Sequence, residues 1–449
     1  MNATAADTIL HYLDDYSRHR EELPGAGLLW LARLRDEAMA RFVAAGFPTL
    51  RDEDWKYTNV APIAKGAFSL ALAEKARENL DAAAIEALAL PDAHRLVFVD
   101  GRYAPRFSHF EDLPPTITVA SLAWLLESDP ERIAPYLRHA GAASRRGEPF
   151  SDLNLASLAD GAYLHLAAGA QLEAPIQLLF VARSERLAAH TRNVVVAGKG
   201  SRAVIVETHA AIEPTDGASY FTNSVSELRL ARGAHVEHHK LQDESGKAFH
   251  VARVAAELSD ESHFVSTSCA FGGALSRTDI GVDFAGEDAS CALDGLYLAD
   301  GRRHVDHHTR IAHARSRCSS REFYKGILAG AGRAVFNGKV IVQRDAQQSD
   351  ASQTNRNLLL SDQAEIDTKP QLEIWADDVK CSHAATAGQL DAEQIFYLRS
   401  RGIAEALARD ILTDAFAGEI VDRIELAPLR ERVRALLRDR LATRSVESP

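Results

Sequence analysis

Residues 192–209 read RNVVVAGKGSRAVIVETH, and residues 226–241 read SELRLARGAHVEHHKL. Each stretch is a pair of short runs rich in Val, Ile and Leu, joined by a small glycine-bearing turn (AGKGS at 197–201, ARGAH at 231–235). β-branched runs bounded by glycine and small polar residues read as strands. The same texture spreads to LHLA (164–167) and IQLLFVA (176–182), with AAGAQ (167–171), AGEDAS (285–290) and AGAGRA (329–334) as further turns. These turns recur about thirty residues apart at first, and about half that from Gly332 through Gln347 and Ala364 to Asp378. A weak, drifting period of this kind fits stacked coils whose inward residues form stripes of Val, Ile, Leu and Ala. A two-sheet sandwich is the competing reading of the same strands.

Outside this region the period changes. Ile9, Leu13 and Tyr16, then Leu28, Leu31, Leu34 and Met39, keep a helical stride, and the alanine-rich stretch at 71–90 has high helix propensity. His94 to Tyr103 reads as a hairpin turning at Asp100-Gly101, and SLAWLLESDPERIAPYLRHA (121–140) as helix. After Asp391, which resembles a capping residue with Gln394 three positions on, helices return. Ile403, Leu407, Ile411 and Leu412 form one apolar stripe; Leu429, Val433, Leu436 and Leu437 form another, ending at Arg440 beside a row of Arg430, Arg434 and Arg438. The expected organisation is a helix-rich N-terminal domain with a small hairpin (1–145), a β-solenoid core (146–390) and a C-terminal helical domain (391–449).

Composition narrows the function. The chain has 449 residues, 46% of them apolar, with 51 Lys and Arg against 63 Asp and Glu and a net charge of −12, which disfavours a nucleic-acid grip. No apolar run approaches the roughly 18–20 residues of a membrane span, and the first twenty residues lack the pattern of a secretion signal. Four scattered cysteines make no disulfide framework, so a cytoplasmic setting is expected. Gly332 to Val340 (GRAVFNGKV) approaches a phosphate-binding loop but has the wrong spacing and Val after its lysine, so no ATP site is expected. Nucleophile elbows, HExxH helices and CxxC pairs are also missing.

Several groups invite a chemical reading. On a strand, His304, Asp306 and His308 share a face and resemble a metal-ligand set, as do His235, His238 and His239 more loosely. The plainer reading is a solvated outer face of a solenoid. Cys269, Cys291 and Cys318 alternate with apolar or small neighbours and read as core fillers, and Asp377-Asp378 as a turn. In VKCSHAAT (379–386), Cys381 and His383 project from one face if the segment is extended, a thiol and an imidazole suited to iron, zinc or copper(I). Two ligands do not hold an iron–sulfur centre, which needs about four, so the remaining ligands would come from another chain.

The blocks RAVFNGKVIV (333–342) and TNRNLLLSDQAEIDTKPQLEIWADDVKCSHAATAGQLDAEQIFYLRSRGI (354–403), with EDWKYTN (53–59) and LVFVDGRYAP (96–105), resemble the SufB/SufD family of iron–sulfur cluster assembly proteins, on its SufD side. SufB-type chains carry a Glu-containing segment where this one has CSHAAT. The resemblance implies a mainly β fold, a right-handed parallel β-helix flanked by helical N- and C-terminal regions. It implies a non-catalytic scaffold subunit of the SUF complex, paired through the β-helix with a SufB-like chain and through the C-terminal helices with a SufC-like ATPase, which hydrolyses ATP. It assigns His383, with Cys381 as companion, to a transient iron–sulfur cluster or iron at the interface with SufB. It assigns nothing to the His304 or His235 groups and neither implies nor excludes a flavin. The sequence leaves open whether the isolated chain is a monomer or a homodimer, since exposed β-helix faces could pair with themselves. The alternatives are a carbohydrate-active β-helix enzyme, for which Asp279, Asp283 and Asp306 are the candidate carboxylates, and a stand-alone metal-binding protein built on the histidines.

Overall fold

The computed structural model describes residues 5–72, 80–110, 112–143, 148–212 and 218–447. Among the described residues four strands precede the repeating region: β1 (Ser69–Leu70), β2 (His94–Val99), β3 (Arg102–Tyr103) and β4 (Ile117–Ser121). The repeating region runs from β5 (Ala162–Leu166), β6 (Ile176–Ala182), β7 (Leu187–Ala197) and β8 (Arg202–Ala211) through β9 (Phe221–Leu230), β10 (His235–Asp243), β11 (Phe249–Leu258) and β12 (His263–Ala270). It continues with β13 (Leu275–Phe284), β14 (Ser290–Ala299), β15 (His304–His313) and β16 (Ser319–Leu328), and closes with β17 (Arg333–Val342), β18 (Ser349–Leu359), β19 (Glu365–Ile374) and β20 (Val379–Gly388).

From β5 onward the odd-numbered strands pair with one another in parallel, and so do the even-numbered strands. The chain therefore winds between two facing sheets, a β-solenoid of about eight coils with helices at both termini. Register partners in successive coils lie 26 to 33 positions apart. Sequence patterning sets this register. Ile205, Val236, Phe264, Leu293 and Tyr297 in one sheet face Leu228, Val254, Ile280, Val305 and Phe336 in the other, and together they form the buried interior. Burying each large apolar side chain contributes about 1.5–3 kcal/mol.

The corners explain the drifting turn period. Between β7 and β18, each passage from an odd strand to the next even strand holds one left-handed residue: Gly200, Gly233, Glu261, Asp288, Arg317 and Gln348. Each donates its backbone N–H to the next coil, as Gly200 does to the Arg232 carbonyl and Arg317 to that of Gln347. The opposite corner uses Gly301 and Gly330, so AGAGRA belongs to a different stack from AGKGS and ARGAH. The half-period near residues 332–378 is the alternation of the two corners within one coil.

Helices cover the two outer faces. In the N-terminal part lie α1 (Ala5–His19), α2 (Leu29–Ala45), α3 (Ala61–Gly66), α4 (Ala82–Leu88), α5 (Leu122–Ser128), α6 (Pro130–Ala143) and α7 (Pro149–Ala156). Leu31 and Phe42 of α2 and Phe150 and Leu153 of α7 pack with Phe221, Val251 and Leu275 on the odd-strand sheet. The hairpin at Asp100-Gly101 forms as its turn residues require, with φ of 48° and 76°, and β2 extends the even-strand sheet beside β6. Within the alanine-rich stretch, α4 accounts for Ala82–Leu88 while residues 73–79 lie outside the described ones.

The C-terminal helices are α8 (Ala392–Ser400), α9 (Glu405–Val421) and α10 (Ala427–Glu447). Ile420, Val421, Leu429, Val433 and Leu437 pack on Val206, Leu241, Leu296, Phe323 and Ile327 of the even-strand sheet. Arg440 closes the α10 stripe by pairing with Asp243 at 2.5 Å. On α9 the expected stripe is not the buried one. Leu407 and Ile411 are exposed, and the helix instead buries Ala408, Thr413, Ala417, Ile420 and Val421 against the sheet. No described helix is long and apolar enough to cross a membrane.

Candidate functional site

The last coil is where the solenoid stops. β19 and β20 are terminal in their sheets, and among the described residues no strand pairs with their outer edges. Pro370, which has no N–H to donate, is tolerated on such an edge. Open strand edges are templates for pairing with another chain, and natural proteins usually blunt or cover them. Here the edge is instead flanked by exposed apolar groups, Ile374 and Trp375 at the end of β19 and Phe396 and Tyr397 on α8.

Cys381 and His383 lie on β20, opposite Ala351 and Gln353 of β18. Because strand residues alternate, both belong to the inward-facing set of the final coil. Cys381 is half-buried against the core, and burial raises its thiol pKa, so it rests as a neutral thiol. His383 is exposed, an imidazole at the open end of the coil stack. The expected pair thus lies on one face of the last strand. Among the described residues no group of three or more His, Cys, Asp and Glu is placed to hold a metal ion.

One coil behind His383 the column turns polar. Gln353 and Glu322 are register partners, and Gln353 Nε2 donates to Glu322 Oε2 at 2.6 Å. Burial pushes the Glu322 carboxyl up to about 7. Next to it Asn355 and Asn357 hydrogen-bond the Tyr297 hydroxyl at 3.1 and 2.6 Å, and Thr368 donates to Asn355 at 2.9 Å. The sequence carried a signal for this lining that the reading above missed. Gln353, Asn355 and Asn357 alternate through QTNRN, the period of one strand face.

The other histidine groups have different work. His304, Asp306 and His308 do share the outer face of β15, but that face is covered, not solvated. Asp306 is fully buried: it accepts from Thr58 at 2.5 Å and Arg277 at 2.9 Å and pairs with His308 at 3.1 Å, while Thr58 also bonds His304 at 2.9 Å. Arg277 stacks 3.6 Å from the Trp55 ring centre and donates to the Asp54 carbonyl, and Glu53 pairs with Lys369 on β19. Residues 53–58 are therefore strapped across the odd-strand sheet by this cluster. His308 and Arg277, with the Thr58 hydroxyl, hold the Asp306 carboxyl well below the usual range despite burial. Asp279 and Asp283 are paired with Arg277 and Arg310 at 2.8 and 2.7 Å, so neither is a free acid or base for glycoside chemistry.

On β10, His235 and His239 flank Glu237 on the outer face at 3.5 and 3.8 Å. His238 points inward to Glu207 at 3.0 Å, within a buried cluster where Lys240 meets His250 at 2.7 Å and His250 meets Glu244 at 2.6 Å. Cys269, Cys291 and Cys318 are buried, as expected of core fillers, and burial pushes the Cys269 thiol up to about 12.

Family comparison gives this architecture its context. Residues 180–416 match the SUF system FeS cluster assembly SufBD core domain, and residues 6–178 match the SufBD protein N-terminal region. An iron–sulfur cluster assembly SufBD family protein of Synechocystis sp. is 39% identical over 396 residues, covering 86% of each chain. The iron–sulfur cluster assembly protein SufD of Escherichia coli is 33% identical over 417 residues, covering 90% of this chain and 91% of that one. The chloroplastic protein ABCI7 of Arabidopsis thaliana is 28% identical over 412 residues. With both halves of the chain matched in order, and a solenoid between terminal helices, the chain belongs to the SufBD family of iron–sulfur cluster assembly proteins.

Proposed function

We propose that the chain is a non-catalytic, cytoplasmic scaffold subunit of the SUF complex, pairing with a SufB-like chain through its terminal coil and with a SufC-like ATPase through residues 391–449. The observation that carries this reading is the place of His383, exposed on a terminal strand whose outer edge no described strand pairs, with Cys381 on the same face. A neutral imidazole binds iron, and an incomplete ligand set suits a cluster that is cargo: a partner supplies thiolates during assembly, and the finished cluster leaves. Cys381, neutral when alone, becomes a ligand only after losing its proton to the incoming metal. Phe396, Tyr397, Leu407 and Ile411 form the exposed apolar face that the ATPase would cover, and leave α9 anchored to the solenoid through its other side.

The test is co-expression with SufB-like and SufC-like chains. His383→Ala should leave the complex intact on co-purification and lower its iron and sulfide content severalfold. Unchanged cluster yield would remove His383 from the reading, and failure of the wild-type chain to capture a SufB-like partner would remove the reading itself.

A further inference from the structure

We infer that Gln353 is a positioning residue for His383, its amide oxygen accepting the ring N–H that faces into the solenoid so that the other ring nitrogen is presented to metal. This rests on the reading of His383 as a ligand and deepens it. Glu322, Gln353 and His383 occupy one inward column of β16, β18 and β20, each the register partner of the next. Neighbouring rungs of such a column are about 4.8 Å apart, within hydrogen-bonding reach of a side chain as long as glutamine.

The two ends of the Gln353 amide are not equivalent. Its Nε2 is committed backwards to Glu322 at 2.6 Å, while its Oε1 is buried with no hydrogen-bond partner. A buried, unpartnered acceptor costs about 1–3 kcal/mol, so its persistence calls for a donor. The next side chain along the column is an imidazole, which carries a ring N–H when neutral. Room for the amide is built in as well. A Cβ at Gly338, across the interior, would lie 1.8 Å from Gln353 Nε2. Metal-bound histidines commonly donate their second N–H to such an acceptor, which fixes the tautomer and raises the basicity of the ligating nitrogen.

The experiment reads the imidazole and not cluster assembly. In the full-length chain labelled with ¹⁵N-histidine, the His383 resonances, identified by their loss in His383→Ala, report the ratio of the two neutral tautomers. The wild-type ratio should differ from that of a free imidazole. Gln353→Leu should move it back by about fivefold, one hydrogen bond's worth. Glu322→Gln, which still offers an acceptor to Gln353 Nε2, should leave it at the wild-type value, and equal melting temperatures separate this effect from misfolding. A wild-type ratio equal to that of free imidazole, or one unmoved by Gln353→Leu, overturns the inference. Normal tautomer behaviour with unaltered cluster yield in His383→Ala would overturn the ligand reading instead.

Discussion

Replacing Asp306 by alanine should release the N-terminal strap. The carboxylate is wholly buried and gathers Thr58, Arg277 and His308 within 3.1 Å. Breaking one side of a buried ion pair costs about 3–5 kcal/mol, because the surviving charge is left desolvated. Arg277 keeps Asp279 at 2.8 Å and the Asp54 carbonyl at 2.6 Å, which places the expected loss near the lower end, about 3 kcal/mol. Arg277→Met should cost a similar amount, adding the loss of its stacking on Trp55. The double variant should be less damaged than the sum of the two, with a coupling of about 1–3 kcal/mol. Urea unfolding gives the free energies, and limited proteolysis shows whether residues 46–60 become cleavable. A loss below about 0.5 kcal/mol in Asp306→Ala, or strict additivity in the double variant, would refute the strap. Zinc offers an independent check: a true His304–Asp306–His308 metal site would raise the melting temperature with zinc concentration, and none of that is expected.

Other consequences are as direct. Gly295 and Gly326 sit beneath the rings of Tyr324 and Tyr297, where an added Cβ would come within 2.0 and 2.2 Å of ring carbons. Gly295→Ala or Gly326→Ala should therefore destabilise by about 1–3 kcal/mol or more, read by thermal unfolding, and a neutral result would mean the rings are not held there. Burial holds His190 at about 3 and His307 and His313 at about 4, below the ordinary 6.5. The unfolded chain then takes up protons first, so stability should fall as pH drops from 6.5 toward 4, by up to about 1.4 kcal/mol per pH unit for each imidazole. Urea midpoints at pH 7 and pH 5.5 that coincide would contradict this. Phe396→Ser with Leu407→Ser should leave the melting temperature within about 2 °C, since both side chains are exposed, yet reduce capture of a SufC-like chain at least tenfold. Retained capture would place the ATPase elsewhere.

How much the sequence revealed follows from which residues answer to local rules. The solenoid was visible because inward positions carry a two-residue apolar alternation that any strand must show, and because Gly200 and Gly233 advertise a left-handed corner. Further along, the same corner is held by Glu261, Asp288, Arg317 and Gln348, which have no glycine signature. Their conformation is imposed by the coils above and below, through the backbone bond to the next turn and side-chain pairs such as Arg317 with Glu287 and Asp288 at 2.6 and 2.8 Å. The period therefore blurred where tertiary structure replaced propensity. Trp55 and Thr58 carry no local signal of their place for a similar reason. Their partners on β13 and β15 lie more than 200 positions away, and no periodicity links residues so distant.

The candidate site divides along the same line. That Cys381 and His383 share a face is a property of any strand, and it was readable. That this face belongs to the last coil, and that an anchored amide stands one rung behind the imidazole, depends on where the stacking ends. The alternating amides of β18 make sense only in that setting. In the middle of a solenoid an inward Gln or Asn must find partners on both neighbouring coils, or leave polar atoms stranded in a dry interior. Near the open end it needs only one, and its other side can serve whatever occupies the final rung. A column whose only task was packing would carry apolar residues at both Glu322 and Gln353, since leucine at 353 alone would strand the buried Glu322 carboxyl. Buried polar groups deeper in the solenoid satisfy one another, as His238 does with Glu207 and Lys240 with His250, whereas the Gln353 amide oxygen has no hydrogen-bond partner, as its proposed role toward His383 requires.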